Sequence, residues 1–212
     1  MADVRKLVCQ VAQRMANAAL ALGTAGNVSA RLDDKTIAIT PTGVPYDRLC
    51  EDDIVVVDIH TRRVVSGHLK PSSETPMHTE VYARRSDIHG IVHTHSLYAT
   101  AFAVAGQSIE AVHYVIATMG DHIPVVPYFT YGTEALAQAA AEALQTVKVA
   151  LLANHGVLAL GKDLEEAYYH AEAVEYLAQL QYLAKGLGGP QVLTPSQIAE
   201  VMEKFQGYGQ RG

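Results

Sequence analysis

His93-Thr94-His95 sets two imidazoles two residues apart at the end of an apolar, β-prone stretch. Strand residues i and i+2 face the same side, so both rings can reach one ion. His155 lies in Ala153-Asn154-His155-Gly156-Val157, at an interruption between two apolar segments. A histidine followed by glycine at a strand break is well placed to present a ring nitrogen. Three neutral imidazoles at tetrahedral angles form a catalytic zinc set with an open fourth position. Taken singly, His-x-His is equally what two structural histidines look like. Glu74, in Pro71-Ser72-Ser73-Glu74-Thr75-Pro76, reads either as a helix-capping residue or as a metal ligand or general base. The hydroxyls of Ser72 and Ser73 precede it, at a predicted helix N-terminus where unpaired N–H groups favour an anion. Gly26-Asn27 and Thr42-Gly43 add two further loops of small residues, each an ordinary turn if read alone. Three such loops in one chain suggest a cradle for one phosphate. None of them reads G-x-x-x-x-G-K-[ST], which argues against an ATPase.

These residues need elements to hold them. Val4, Leu7, Val8, Val11, Met15, Ala18, Ala19 and Leu22 have helical spacing, so a helix is expected over 3–22, stopped by Gly23. The β-branched runs 36–40 and 54–59 predict strands, with a shorter one at 63–66. A helix is expected from Thr75 as N-cap, with Pro76 at its first position, to about Arg85. A strand over 90–95, a small-residue helix over 96–105 and a strand over 125–128 follow. Thr133 opens an Ala-rich helix to 146, and strands at 148–153 and 157–160 flank Asn154-His155-Gly156. Asp163 opens a long helix to about Lys185, with Glu165 and Glu166 suited to the positive end of its dipole. A last helix covers 195–205. Several strands succeed one another without an intervening helix, so the sheet is not purely parallel.

The chain has 212 residues and a formal net charge of -6, with 18% charged and 49% hydrophobic residues. That is material for a core in one domain, 1–212, and it excludes disorder. A dedicated nucleic-acid binder would carry a basic face, which this composition lacks. No apolar run is long enough for a membrane span and no signal peptide is seen, so the chain reads as cytoplasmic. Cys9 and Cys50 form no framework, and each reads as a small buried hydrophobe. Ten histidines against sixteen Lys+Arg are the compositional oddity. Of the histidines outside the triad, His78, four residues after Glu74, could sit near a metal, although packing alone would explain it.

Taken together, the motifs are recognisable. The chain resembles the class II, metal-dependent aldolases of the L-fuculose-1-phosphate aldolase type, a family shared with ribulose-5-phosphate 4-epimerases and adducin heads. The resemblance rests on Gly23–Ser29, Thr40–Tyr46, Pro71–Glu74, Val92–His95, Ile109–Met119, Asn154–Gly156 and the tail Glu203–Gly209, in order and nearly end to end. It implies an α/β fold, a three-layer α/β/α sandwich around a mixed, largely antiparallel sheet, assembled as a homotetramer with active sites at its interfaces. His93, His95 and His155 would bind a divalent metal, usually zinc, with manganese or cobalt as alternatives. Glu74 would complete the coordination and act as the base. Asn27, Thr42, Gly43, Ser72 and Ser73 would hold a sugar phosphate. Tyr114 would reach a neighbouring subunit's site to protonate an alkoxide, and Tyr208 would help close the pocket. The implied reaction is reversible cleavage of a 1-phosphorylated ketose, such as L-fuculose 1-phosphate, to dihydroxyacetone phosphate and a short aldehyde such as lactaldehyde. Salvage cleavage of 5-deoxyribulose or 5-methylthioribulose 1-phosphate is a second reading, and epimerase or dehydratase chemistry a third. A non-catalytic adducin-like module is a fourth, against which the intact His93, His95, His155 and Glu74 speak.

Overall fold

Period-two alternation in the central strands divides the apolar core in two. In the strand Gly90–Thr94, Val92 joins one cluster and Ile91 the other; in Gly156–Gly161, Val157 and Ala159 face one side, Leu158 and Leu160 the opposite one. A strand buried on both faces needs cover on both, which dictates a three-layer arrangement. The computed structural model describes residues 2–205. Its strands are β1 (Asn27–Arg31), β2 (Thr36–Ile39), β3 (Val55–Asp58), β4 (Val64–Ser66), β5 (Gly90–Thr94), β6 (Val125–Val126), β7 (Val149–Leu152) and β8 (Gly156–Gly161). They form one sheet in the order β4-β3-β2-β1-β5-β8-β7-β6. Every pairing is antiparallel except β6 with β7, so the sheet is mixed and largely antiparallel as expected.

One face carries α1 (Ala2–Asn17), α3 (Leu97–Val104), α5 (Leu164–Gly186) and α6 (Pro195–Phe205), which contribute Val8, Phe102, Val174 and Ile198 to one core. The other face carries α2 (Thr75–Arg84) and α4 (Glu134–Ala143), which contribute Tyr82, Val81, Leu136 and Ala140 to the second. The expected caps of two helices are in place. Thr133 accepts from the Leu136 N–H at the start of α4, and Asp163 accepts from the Glu166 N–H at the start of α5. No helix among the described residues is long and apolar enough to cross a membrane.

Several boundaries differ from the sequence expectation. The predicted strand over 125–128 pairs only at Val125–Val126, and the helix expected to 146 ends at Ala143. Glu74, not Thr75, is the N-cap of α2, because the Thr75 N–H already bonds the Ser72 carbonyl and starts the turn one residue early. Cys9 is buried as expected, but Cys50 is exposed, at the start of a short 3-10 turn over Glu51–Asp53. The largest difference is at α1, which ends at Asn17 and leaves Leu22 exposed. The Leu20 N–H bonds the Met15 carbonyl and the Ala19 N–H bonds the Ala16 carbonyl. This is the paired pattern of a Schellman C-cap, with Ala19 in the left-handed region at φ 56°. Gly23 is therefore not the stop, since an alanine already occupies the position that ordinarily takes glycine. The early end has a structural use, because the freed Leu20 carbonyl accepts the His95 N–H at 2.9 Å.

A left-handed alanine costs about 1 kcal/mol relative to glycine. Ala19→Gly, at an exposed position, is expected to raise stability by about that amount and the thermal midpoint by about 2–4 °C. A calorimetric scan showing no rise would contradict the strained-cap assignment.

Candidate metal centre and active site

The site lies where β1, β5 and β8 meet the N-terminus of α2. Antiparallel register puts Asn27 of β1 directly opposite His93 of β5, and His93 opposite Leu158 of β8. His95 follows β5 immediately, and His155 occupies the turn between β7 and β8. Two glycines permit the close approach. A Cβ on Gly156 would stand 2.3 Å from the Thr94 carbonyl oxygen, and a Cβ on Gly26 would stand 2.7 Å from that of His93. Glu175 of α5 secures the chain beyond His95 by accepting the backbone N–H groups of Tyr98 and Ala99, each at 2.9 Å. It supplies the cap that the Ser96 side chain does not.

His93, His95 and His155 form a three-sided cup. Their ring centroids stand 4.8 to 5.1 Å apart and the planes meet at 72° to 81°. The Nδ1 of His93 lies 2.7 Å from the Val157 carbonyl oxygen. A carbonyl can only accept, so Nδ1 carries a proton and Nε2 is the atom that faces the cup, a donor to Glu74 when protonated and a ligand through its lone pair once that proton is lost. The Nε2 atoms of His93 and His95 are 3.0 Å apart. Glu74 Oε2 lies 3.1 Å from His93 Nε2, and Oε1 lies 3.3 Å from His155 Nε2. Glu74 makes no capping bond with its side chain and turns it into the cup instead, where Oε1 has no hydrogen-bond partner.

The donor set fits a divalent cation. Two ligand atoms at about 2.0–2.1 Å from one ion with a tetrahedral angle between them stand about 3.3 Å apart. The edges of 3.0 to 3.3 Å between neighbouring donors match that spacing. All four ligand atoms lie within 4.8 Å of one another. Facing imidazole lone pairs and an orphaned buried carboxylate oxygen are both unfavourable unless positive charge sits between them.

The site's protonation equilibria follow from burial and the mutual charges. Burial works to raise the Glu74 pKa, but His93, His155 and the amide of Asn27 outweigh it and hold the carboxyl well below the usual carboxylate range. Burial lowers the His93 pKa, and the adjacent Glu74 charge more than reverses that. Burial and the positive charge of His93 push His95 down to about 3 and His155 to about 4. His78 is fully buried and pushed down to about 3, mainly by loss of solvation.

Beside the cup lies a cavity of about 410 Å³. The five residues expected to cradle a phosphate, Asn27, Thr42, Gly43, Ser72 and Ser73, all line it, together with Glu74, His95 and His155. Among the described residues, no lysine or arginine does. Sequence reasoning missed Asn154 and the aromatic segment Tyr128, Phe129 and Tyr131, which line the same cavity. The only sequence signal for that segment is three aromatic residues within four positions, followed by Gly132. Tyr114 does not line this cavity. It is half-exposed, packs over Phe205 of α6 with ring centroids 6.2 Å apart, and borders a separate cavity with Val115, Tyr169, Val201 and Lys204. Tyr208 falls outside the described residues.

Comparison with known proteins agrees with this architecture. Residues 6–182 match the family described as Class II Aldolase and Adducin N-terminal domain. The chain is 44% identical over 191 residues to L-fuculose phosphate aldolase of Escherichia coli (strain K12), covering 89% of this chain and 87% of that protein. It is 37% identical over 208 residues to 5-deoxy-D-ribulose 1-phosphate aldolase of Bacillus thuringiensis serovar kurstaki, covering 98% and 97% respectively. A solved structure of an L-fuculose 1-phosphate aldolase superposes with a TM-score of 0.93 at 40% identity, covering 96% of each chain.

The depressed histidines make metal-free stability depend on pH with a definite sign. His78, His95 and His155 stay neutral in the folded chain at pH values where the unfolded chain takes up protons. Each therefore contributes stability that is present above about pH 6.5 and is lost as the pH falls, by about 1.4 kcal/mol per unit per group. His93 is raised, so its contribution is complete below 6.5 and adds no slope there. Urea midpoints of chelator-treated protein should fall steadily from pH 6.5 to 4.5, and a flat profile would contradict the burial of these neutral imidazoles.

Proposed function

Because this chain belongs to the class II aldolase and adducin N-terminal domain family, and is on that ground a class II aldolase and a lyase, we propose that it cleaves a 1-phosphorylated 2-ketose reversibly to dihydroxyacetone phosphate and a short aldehyde. The carrying observation is the juxtaposition of the three-imidazole, one-carboxylate cup with a cavity lined by neutral phosphate donors. L-Fuculose 1-phosphate is the first candidate substrate, and 5-deoxyribulose 1-phosphate the second, because aldolases named for each are about equally extensive relatives. The cation is zinc in this reading, since three imidazoles and one carboxylate suit a borderline ion.

His93, His95, His155 and Glu74 would hold the ion, which when bound supplies Lewis-acid stabilisation of negative charge on the substrate's carbonyl and neighbouring hydroxyl oxygens. The remaining work falls to side chains. Asn27, Thr42, Gly43, Ser72 and Ser73 bind the phosphate with amides and hydroxyls, and the α2 N-terminus adds the positive end of its dipole. The phosphate is remote from the bond that breaks, so its binding orients the reacting carbons. In the condensation direction, Glu74 removes a proton from the hydroxymethyl carbon of dihydroxyacetone phosphate, leaving an enediolate. That carbon attacks the aldehyde carbonyl, and the new alkoxide takes a proton from Tyr114. Cleavage runs the same steps in reverse. Tyr114 stands outside the cavity of its own chain, and in this reading, which follows the family resemblance, it would serve the site of a neighbouring copy in a homotetramer.

A panel of L-fuculose, rhamnulose, ribulose, 5-deoxyribulose and 5-methylthioribulose 1-phosphates, read by release of dihydroxyacetone phosphate, tests the reading. At least one compound should be cleaved, and chelation should abolish the release until zinc is restored. Cleavage of none, or undiminished turnover without metal, would remove the aldolase assignment or its metal dependence. Glu74→Gln keeps the three imidazoles and should retain metal, but should slow proton exchange into dihydroxyacetone phosphate by about 100-fold or more. Exchange at the wild-type rate would dismiss Glu74 as the base.

A further inference from the structure

Behind the cup runs a chain of buried hydrogen bonds whose polarity the Glu74 carboxylate dictates. Asn27 Nδ2 lies 2.9 Å from Glu74 Oε2. A carboxylate held ionised can only accept, so the amide must present its NH2 to Glu74 and its oxygen the other way. That oxygen lies 2.5 Å from His78 Nε2, which must therefore carry the ring proton. The other ring nitrogen, Nδ1, is then an acceptor, and Ser29 Oγ donates to it at 2.6 Å. The Tyr82 hydroxyl closes the chain, 3.1 Å from both the side-chain and the carbonyl oxygen of Ser29. Ser29 and His78 are wholly buried, so water cannot take the place of either partner of the imidazole, while Asn27 is buried behind the face it turns to the cavity. Two spacings build the arrangement. Glu74 and His78 are one turn apart on α2, and Asn27 and Ser29 share one face of β1.

We infer that His78 is a positioning residue that fixes the orientation of the Asn27 amide and, through it, sets Glu74 for metal binding and proton transfer. The opposite amide orientation would put a carbonyl oxygen against the carboxylate and would leave His78 Nε2–H facing an NH2 group. Glu74 at one end of the amide and the His78 proton at the other select the same orientation, and His78 holds it from the buried side. The same amide lines the phosphate cavity, so one buried imidazole adjusts both ends of the site: the carboxylate at the cup and the NH2 group beside the phosphate. This rests on the proposed function only in identifying the cavity as a phosphate subsite. The hydrogen-bond chain and its effect on the cup stand without it.

The test compares His78→Leu, which keeps bulk and removes both nitrogens, with His78→Gln, whose amide NH2 can replace the Nε2 donor. Zinc affinity is measured by competition with a chromophoric chelator, inorganic phosphate binding by calorimetry, and fold by near-ultraviolet circular dichroism. His78→Leu should weaken zinc binding about 10–100-fold, the loss typical of removing a partner behind a metal ligand. It should weaken phosphate in parallel, while His78→Gln stays within about threefold of wild type on both. Wild-type affinities in His78→Leu, or equal losses in the two variants, would overturn the inference, the second outcome meaning that His78 only packs. Should His78→Leu fail to fold, Ser29→Ala decides, since it removes the hydroxyl bonded to Nδ1 that holds the imidazole in place. A several-fold loss of zinc affinity supports the positioning role and no loss overturns it. These readouts need no sugar substrate, so failure of every ketose in the panel would sink the proposed reaction and leave the positioning role of His78 to stand or fall on zinc affinity alone.

Discussion

A buried carboxylate must be balanced, and the site of this protein is organised around balancing Glu74. Left alone in a low-dielectric interior, an ionised carboxylate costs several kcal/mol or else takes up a proton and loses its charge. Glu74 avoids both outcomes through neighbours on every side: two imidazoles at 3.1 and 3.3 Å and an amide NH2 at 2.9 Å. One oxygen keeps no hydrogen-bond partner of its own. The carboxylate is thus held charged, oriented on one edge and available on the other. Those are the requirements of a group that shares a cation and also moves a proton.

Balance of that kind demands fixed distances, and the middle of the sheet provides them. β1, β5 and β8 are adjacent, so the pairings of Asn27 with His93 and of His93 with Leu158 are set by ladder hydrogen bonds rather than by loops. Loops would allow displacements of about an ångström, and sites on strands and helices are held more closely. The connections that do enter the site are pinned individually. The Schellman turn at the end of α1 offers the Leu20 carbonyl to His95, and Glu175 reaches from α5 to cap the turn that follows it. Gly156 lets the turn bearing His155 close onto Thr94. Two helices on the same face of the sheet, α1 and α5, therefore contribute to one ligand's placement.

The residues of the cup and of the cavity lining are legible in the sequence as candidates because short local patterns mark them, and the family resemblance joins those patterns into one site. Alternation along a strand puts His93 and His95 on one side, and small-residue loops and serines before a helix mark anion donors. Helix starts at Thr133 and Asp163 are legible for the same reason, since a capping side chain bonds its own first turn. What escapes depends on partners distant in sequence. His78 has its role only because Asn27, fifty-one residues earlier, stands opposite it. Glu175 caps a helix seventy-seven residues before it. The end of α1 is hidden because alanine has no strong preference for a left-handed cap, and nothing in the local pattern announces that Ala19 adopts one. Glu74 reads as a possible cap and does occupy the N-cap position, but with its side chain committed elsewhere.

The charge of the chain bears on how the cavity discriminates. In the proposed reaction a chain at -6 takes a phosphate dianion into a cavity that, among the described residues, no lysine or arginine lines, so the net charge gives it no long-range attraction. Amides and hydroxyls are directional and weak individually, with net contributions of about 0.5–1.5 kcal/mol per hydrogen bond. Among the described residues, strong local positive potential would come from the α2 N-terminus and from an ion in the imidazole cup. A ligand that reaches the cradle alone gains a few neutral hydrogen bonds. One that also places two oxygens at the cup gains the cation as well. The separation between cradle and cup then acts as a ruler, set by β1, β5 and the first turn of α2. In the proposed reaction it favours a ketose phosphorylated one carbon from its carbonyl over free phosphate or a phosphate placed farther along the chain. In the same reading the distal half of the sugar meets no such ruler and, among the described residues, would face the aromatic segment Tyr128, Phe129 and Tyr131. An apolar wall separates substrates differing by a methylene by about 10–200-fold. Discrimination is therefore expected to be strict at the phosphorylated end and graded at the aldehyde end.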